Sequence, residues 1–216
     1  MEIIHTISAL DKQLFLFLNS FHNGFFDLFM SAVSAKIVWL PFYISLLYII
    51  IRSLGKQSIW VILTLILCVV IADQVSSGII KNAVQRLRPS HNPDFENFIH
   101  LVNGHKSGLY GFVSSHASNA VGLATLSALL IRNKSYSITV AIWAGIVMYS
   151  RIYLGVHYPL DVIGGATVGA LVAFALYVIL QKYIYKTKQI TIWQPQMPIL
   201  MLMLSAIAFV LYGFMA

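Results

Sequence analysis

The chain has 216 residues, of which 59% are hydrophobic and only 10% are charged. Because soluble globular domains carry about 25% charged residues, this composition excludes an ordinary cytosolic enzyme, a disordered regulator and a disulfide-stapled secreted module. Lys and Arg outnumber Asp and Glu by 14 to 7, and in so apolar a chain this excess favours contact with anionic lipid or a phosphorylated substrate over nucleic acid.

A short amphipathic segment precedes the long apolar stretches. Residues 10–19 are too few to cross a bilayer, which needs about 20 apolar residues per helix, so we expect an interfacial helix within residues 1–22. The charge-poor stretches that follow predict six spans, at residues 25–51, 57–80, 116–131, 135–150, 162–180 and within 189–216. The predicted fold class is all-α, an integral membrane bundle of about six transmembrane helices in a single domain over residues 1–216.

The short connections between spans carry the signal for orientation. Those after the first, third and fifth spans hold seven basic and no acidic residues, namely Arg52, Lys56, Arg132, Lys134, Lys182, Lys186 and Lys188. By the positive-inside rule these turns are cytoplasmic. The loop at residues 89–113 and the turn at 151–159 then lie on the outer face with both termini. We expect location in the inner (cytoplasmic) membrane, with a site that opens to the periplasm in a Gram-negative host.

The first polar motif lies at residues 81–89, where the second span ends. Lys81 and Arg88 are seven residues apart, so two helical turns would return them to nearly one face. Pro89 disfavours helix at the preceding residue, which predicts that the helix ends at Arg88. Two cations at a helix C-terminus can simply complement the helix dipole and anchor in the headgroup layer. They can also clamp a phosphate, and both interpretations stay open.

The second motif, at residues 111–117, opens the third span. Ser114 is predicted to cap this helix, whose first N–H groups would then point outward and form a ready anion site. The alternative is simple capping, with His116 merely at the membrane interface.

The third motif, at residues 150–161, combines Arg151, His157 and Asp161 within a charge-poor chain. Pro159 is suited to the first position of a helix, which puts Asp161 in the first turn and His157 just before it. A carboxylate there can hold one imidazole nitrogen and leave the other free to react. A structural carboxylate beside an interfacial histidine is the alternative. Because intramembrane charge is costly unless it serves a function, we favour the functional interpretation.

Together these segments resemble the motifs of the type 2 phosphatidic acid phosphatases, in their order and their membrane placement. Residues 81–89 match the family's K-x6-R-P motif, and residues 150–161 match its S-R-x5-H-x3-D motif. Residues 113–116 read Val-Ser-Ser-His where the family has P-S-G-H. The resemblance covers roughly residues 20–185 and implies a six-helix membrane lipid phosphatase.

The resemblance also implies a role for each polar residue of the three motifs. His157 would attack phosphorus and become a phosphohistidine, and Asp161 would orient its imidazole. His116 would protonate the leaving oxygen and then activate water. The phosphoryl oxygens would be held by Lys81, Arg88, Arg151, Ser114 and backbone N–H groups near Ser115. Neither a metal nor another cofactor is implied, since three cations can neutralise the transferred group.

The resemblance permits several substrates: undecaprenyl diphosphate, phosphatidylglycerol phosphate, phosphatidate and the phosphates of lipid A. We expect residues 91–110 of the outer loop to carry selectivity, because they are the largest feature near the site. A non-catalytic transporter or binding protein for phosphate, and a vanadate-dependent haloperoxidase, are the alternatives. The spacing of His91, His100 and His105 matches no compact metal motif. The sequence makes no prediction of oligomeric state.

Overall fold

The computed structural model describes residues 2–94, 98–185 and 192–215, and within these ranges every regular element is a helix, which confirms the all-α prediction. The helices are α1 (Glu2–Asn19), α2 (Gly24–Ser34), α3 (Leu40–Leu54), α4 (Ser58–Asp73), α5 (Lys81–Val84), α6 (Ser115–Ile131), α7 (Lys134–Tyr153), α8 (Pro159–Ile179) and α9 (Gln196–Met215). Two of the predicted cytoplasmic cations, Lys186 and Lys188, lie outside the described residues, as does the start of the predicted sixth span.

Two helical stretches of the described chain are long and apolar enough to cross a membrane. They are Lys36–Val84 and Pro159–Tyr185. The first contains both α3 and α4, which are joined by a turn at Gly55 with φ of +52°. The described residues thus form a helical bundle with a membrane protein's apolar surface.

The predicted first span, residues 25–51, is broken into two helices, so that part of the prediction is wrong. Helix α2 ends at Ser34, Ala35 is extended, and a short 3-10 turn (Lys36–Trp39) leads into α3. Pro41 lies in the first turn of α3. A proline has no N–H and is tolerated in the first turn but not in a helix interior, so one continuous helix through this position is disfavoured.

Helix α1 has two different faces. It begins at Glu2 and is therefore longer than the predicted segment at residues 10–19. The face with Asp11 and Phe15 is buried against the bundle. The other face is an apolar stripe at helical spacing, made of the exposed side chains Ile3, Ile7, Leu10, Leu14 and Phe17. This two-sided pattern is the one expected of an interfacial helix.

Helices α6 and α8 approach each other closely at the centre of the bundle. A Cβ added to Gly165 would collide with the carbonyl oxygen of Ser114, and one added to Gly169 would collide with that of Ser118. Small residues allow such close backbone approach in membrane bundles. The N-termini of the two helices consequently lie side by side, where the N–H of Ser114 donates to the carbonyl of Asp161 at 2.8 Å.

The helix of the first motif ends at Val84 rather than at Arg88, so the predicted end was wrong. Gln85 adopts the left-handed conformation, with φ of 50°. Residues 86–88 then pair with residues 109–111 of the outer loop through backbone hydrogen bonds of 2.8–3.0 Å and cannot stay helical. The two cations of this motif therefore do not share a helical face. Any proximity of Lys81 and Arg88 is due to the tertiary fold and not to helical spacing.

Candidate active site

The side chain of His157 lies between α7 and α8 and is only 1% exposed. Its Nδ1 is 3.4 Å from Oδ2 of Asp161. Its Nε2 is 3.0 Å from Nη1 of Arg88. Because a guanidinium can only donate, Nε2 accepts this hydrogen bond and the ring proton is on Nδ1, toward the carboxylate. The third motif predicted that Asp161 holds one ring nitrogen and leaves the other free. In the structure Nδ1 lies beside the carboxylate without a hydrogen bond to it, and Nε2 is bonded to Arg88 rather than free.

Burial and nearby cations lower the pKa of His157 well below its ordinary value of 6.5. The cations that act on it are Arg88, Arg151 and Lys81. Lys81 and Arg88 belong to the first motif and Arg151 to the third, and the fold brings all three near one imidazole. At neutral pH the ring is uncharged, and the lone pair of its Nε2 accepts the hydrogen bond from Arg88.

Arg88 is fixed by its backbone neighbours. Its Nε donates to the carbonyl of Tyr110 at 3.0 Å, and its Nη1 donates to the carbonyl of Val156 at 3.1 Å. Since these carbonyls belong to the outer loop and to the turn before α8, Arg88 joins two of the three motifs.

Arg151 is near the end of α7 and is almost completely buried. Its Nη1 donates to the hydroxyl of Ser34, and its Nε donates to no described residue. A buried guanidinium with an unused N–H can bind an oxyanion by donating a hydrogen bond to it.

The start of α6 forms as predicted. Ser114 is the N-cap, with its Oγ 3.5 Å from the backbone nitrogen of Ala117, and Ser115 is the first helical residue. The N–H groups of this first turn have no partner within the helix. His116 follows in the same turn, is partly buried, and lies near His157 and Arg151.

Two cavities lie beside this site, and neither is lined by His157. The first, about 370 Å³, lies among α3, α4, α6 and α7, and its walls are mainly apolar. Its polar residues are Ser34, Lys36, His116 and Asn119. The second, about 630 Å³, lies under the outer loop and is lined by Ser31, Ser34, Asn103, His105, Lys106 and Arg151, among others. We call them the apolar cavity and the polar cavity. Ser34 borders both.

Two residues of the site were missed by the sequence analysis. Oδ1 of Asp161 accepts a hydrogen bond of 2.9 Å from Arg86, and Arg86 also bonds to Asp11 of α1 at 2.7 Å. Arg86 lies inside the K-x6-R-P motif, so a third cation there was a usable signal. Asp11 lies far from the three motifs in the sequence, and no sequence signal identified it.

Three polar residues outside the three motifs have structural partners. Asp73 accepts from the amide of Asn119 at 3.1 Å. His91 contacts the carbonyl of Ser107, and His100 contacts Asp27. Among the described residues, no group of three or more His, Cys, Asp or Glu side chains is arranged to hold a metal.

Comparisons with known proteins show the family of this chain. The family model of the PAP2 superfamily matches residues 57–185. A lipid A 4'-phosphatase of Bacteroides thetaiotaomicron is 38% identical over 183 residues, which cover 83% of this chain and 81% of that protein. A lipid A 4'-phosphatase of Porphyromonas gingivalis is 37% identical over 172 residues, 79% of this chain and 73% of that protein.

A solved structure shares the fold. The PAP2-type phosphatidylglycerolphosphate phosphatase of Bacillus subtilis superimposes with a TM-score of 0.65 at 20% identity, over 82% of this chain and 88% of that one. The stretch matched by the family model contains every site residue that the sequence predicted, but it begins after α1 and therefore leaves out Asp11.

Proposed function

The chain belongs to the PAP2 superfamily, and we propose that it is a membrane lipid phosphatase acting through a phosphohistidine on His157. The observation that carries this proposal is the uncharged, buried imidazole of His157 with three cations around it. A neutral nucleophile surrounded by positive charge suits phosphoryl transfer, in which positioning and electrostatic stabilisation provide most of the catalysis.

Substrate binding activates the nucleophile in this proposal. The phosphoryl oxygens bind to Lys81, Arg88, Arg151, Ser114 and the N–H groups near Ser115. As Arg88 turns its donors to these oxygens, it releases the Nε2 lone pair of His157, which it holds at 3.0 Å in the free protein.

The reaction then proceeds in two steps. In the first, Nε2 of His157 bonds to phosphorus, the bond from phosphorus to the leaving oxygen breaks, and protonated His116 gives that oxygen a proton. Asp161 stabilises the positive charge on the imidazole. In the second, His116 takes a proton from water, the water oxygen bonds to phosphorus, and the P–N bond breaks. Phosphate leaves and His157 is neutral again.

We also propose the membrane arrangement that the sequence predicts. The six spans are α2 with α3, then α4, α6, α7, α8 and α9, in a single domain in the inner membrane. The cations Arg52, Lys56, Arg132 and Lys134 lie on the cytoplasmic side by the positive-inside rule. The active site then opens on the outer face, and α1 lies along the interface there.

The substrate that we propose first is a phosphate of lipid A. Two similar proteins are lipid A 4'-phosphatases, and the two cavities offer an apolar space for acyl chains beside a polar space for a large headgroup. The outer loop contributes residues 102–106 to the polar cavity, which supports the expectation that this loop carries selectivity.

Phosphate release from purified protein in detergent, with chelator present, tests this function. The panel contains lipid A, undecaprenyl diphosphate, phosphatidylglycerol phosphate and phosphatidate. We expect release that is unaffected by chelator, lost in His157→Ala and His116→Ala, and kept in the control His5→Ala, which changes an exposed histidine of α1. Lipid phosphate binding without release would support the transporter instead. Vanadate-dependent halide oxidation would support the haloperoxidase.

A further inference from the structure

We propose that Asp11 and Arg86 are positioning residues that hold the carboxylate of Asp161 toward His157, so that α1 is part of the active site. The proposal rests on the function proposed above and extends it to residues outside the three motifs. It follows from a chain of ionic hydrogen bonds that connects three segments of the protein.

Arg86 is a bridge between two carboxylates. Its Nη1 donates to Oδ1 of Asp161 at 2.9 Å, and its Nη2 donates to Oδ2 of Asp11 at 2.7 Å. Its guanidinium also lies over the ring of Tyr158, 4.1 Å from the centroid. A planar guanidinium with fixed donors holds both partners in one geometry. Lysine, with one compact ammonium, cannot reproduce that arrangement.

Asp11 has a second contact that reaches the same place. Its side chain is buried, and its Oδ1 accepts the backbone N–H of Leu160 at 2.9 Å. Leu160 lies in the first turn of α8, directly before Asp161. Asp11 therefore fixes both the cation that holds the catalytic carboxylate and the backbone that carries it.

The two oxygens of Asp161 have separate tasks in this arrangement. Oδ2 accepts the N–H of Tyr158 at 3.0 Å and faces Nδ1 of His157. Oδ1 is held by Arg86. The terminal torsion of an aspartate is broad, so the loss of the Oδ1 contact would allow the carboxylate to turn away from the imidazole.

Charge balance gives Asp11 an electrostatic role in addition to its role in packing. A single positive charge on Arg86 would neutralise Asp161 and weaken its attraction for an imidazolium. With Asp11 on the other side of Arg86, the group of three has a net charge of −1. That negative charge favours the positive His157 that forms during phosphoryl transfer.

Steady-state kinetics on the full-length protein in detergent test the proposal, with phosphate release from the best lipid of the panel as the readout. The variants are Asp11→Asn, Arg86→Lys, Arg86→Gln and the double variant with Asp11→Asn and Arg86→Gln. The control Asn19→Ala removes other contacts of α1, the 2.8 Å bond to the carbonyl of Tyr153 and the bonds to the backbone of Ile152 and His100, without touching Asp11, Arg86 or Asp161. Thermal midpoints are measured for all of them.

We expect kcat to fall about 100-fold in Arg86→Gln, the size of effect that misplacing a catalytic group produces, with KM nearly unchanged. Arg86→Lys should recover part of this loss. The double variant should lose no more than Arg86→Gln alone, because both substitutions break one network. Asn19→Ala should lower the thermal midpoint and keep kcat.

Three results would overturn the proposal: a wild-type kcat in Arg86→Gln, a loss confined to KM, or the same kcat loss in Asn19→Ala. Wild-type protein that releases no phosphate from any lipid would instead contradict the proposed function, and the positioning role with it. The two failures are therefore distinguishable.

Discussion

The apolar and the polar cavity differ in what builds them. The walls of the apolar cavity are packed helices that run through the bundle. The polar cavity is lined on one side by residues 102–106, irregular backbone of the outer loop. Chains of methylene groups need only apolar area, which helices provide, whereas a headgroup needs polar contacts at defined positions. With the proposed function, the comparison assigns the chemistry to the helix ends beside the cavities, and we expect the outer loop to discriminate between headgroups.

The largest expected effect is at His157, which is not among the residues that line either cavity. His157→Ala should lower the rate of phosphate release by more than about 10³-fold, because no other group can take over as nucleophile. Release assays and a thermal midpoint on the same sample check this. Substantial turnover in a folded His157→Ala protein would show that His157 is not the nucleophile.

His116→Ala should show a loss that depends on the leaving group. A lipid ester needs a proton on its leaving oxygen, and loss of general acid catalysis costs about 10²–10⁴-fold. An aryl phosphate with an acidic leaving group needs little proton transfer, so its cleavage should fall much less. Parallel assays of the two substrates measure the difference. Equal losses would contradict the role of His116 as acid.

Filling the apolar cavity should affect long lipids only. Ala120 lines this cavity, and Ala120→Leu would displace about two methylene groups of an acyl chain. At about 0.8 kcal/mol per methylene, KM for a long-chain lipid should rise roughly tenfold. A short-chain water-soluble phosphate should be unaffected. The matched control is Ala141→Leu, at an exposed position on α7. A similar rise for both substrates would count against the acyl-chain role.

Removing a charge from the polar cavity should have a smaller effect. Lys106 is exposed at its rim, and exposed ionic contacts contribute only about 0.2–1 kcal/mol. Lys106→Gln should raise KM slightly for a lipid with a large anionic headgroup and leave phosphatidate unchanged. Lys56→Gln, in the turn between α3 and α4, is the control. An equal effect on both lipids would show that this loop does not discriminate between headgroups.

The pH dependence should reflect the surroundings of His157. Because the pKa of His157 is lowered, the imidazole stays neutral as pH falls through 6.5. Protonation of His157 should therefore lower kcat/KM only at pH values below 6.5. In Arg88→Gln this fall in kcat/KM should move to higher pH, since one of the cations that lower this pKa is gone. A pH–rate profile of both proteins measures the shift, and a fall that moves to lower pH would contradict it.

Local sequence signals predicted the start of each catalytic helix. Ser114 and Pro159 lie at the N-termini of α6 and α8, as their capping and backbone preferences predicted. The four-residue spacing of His157 and Asp161 also predicted their proximity. These features depend on residues close together in the chain, where side-chain chemistry and backbone geometry act directly.

Features that depend on distant partners were not predicted correctly. The helix of the first motif stops early because residues 86–88 pair with 109–111, more than 20 residues away in the sequence. The contact between Arg86 and Asp11 spans 75 residues. No local pattern marks either pairing, because each joins residues that are far apart in the sequence.

The glycine contacts between α6 and α8 have a consequence for motion. Gly165 and Gly169 lie against backbone oxygens of α6, so these two helices have little room to slide past each other. Because His116 is in the first turn of α6 and His157 directly precedes α8, we expect the distance between the two histidines to change little. We expect any widening that admits a bulky lipid to occur instead at α2 and α3, where the helix is interrupted at Ala35 beside the polar cavity.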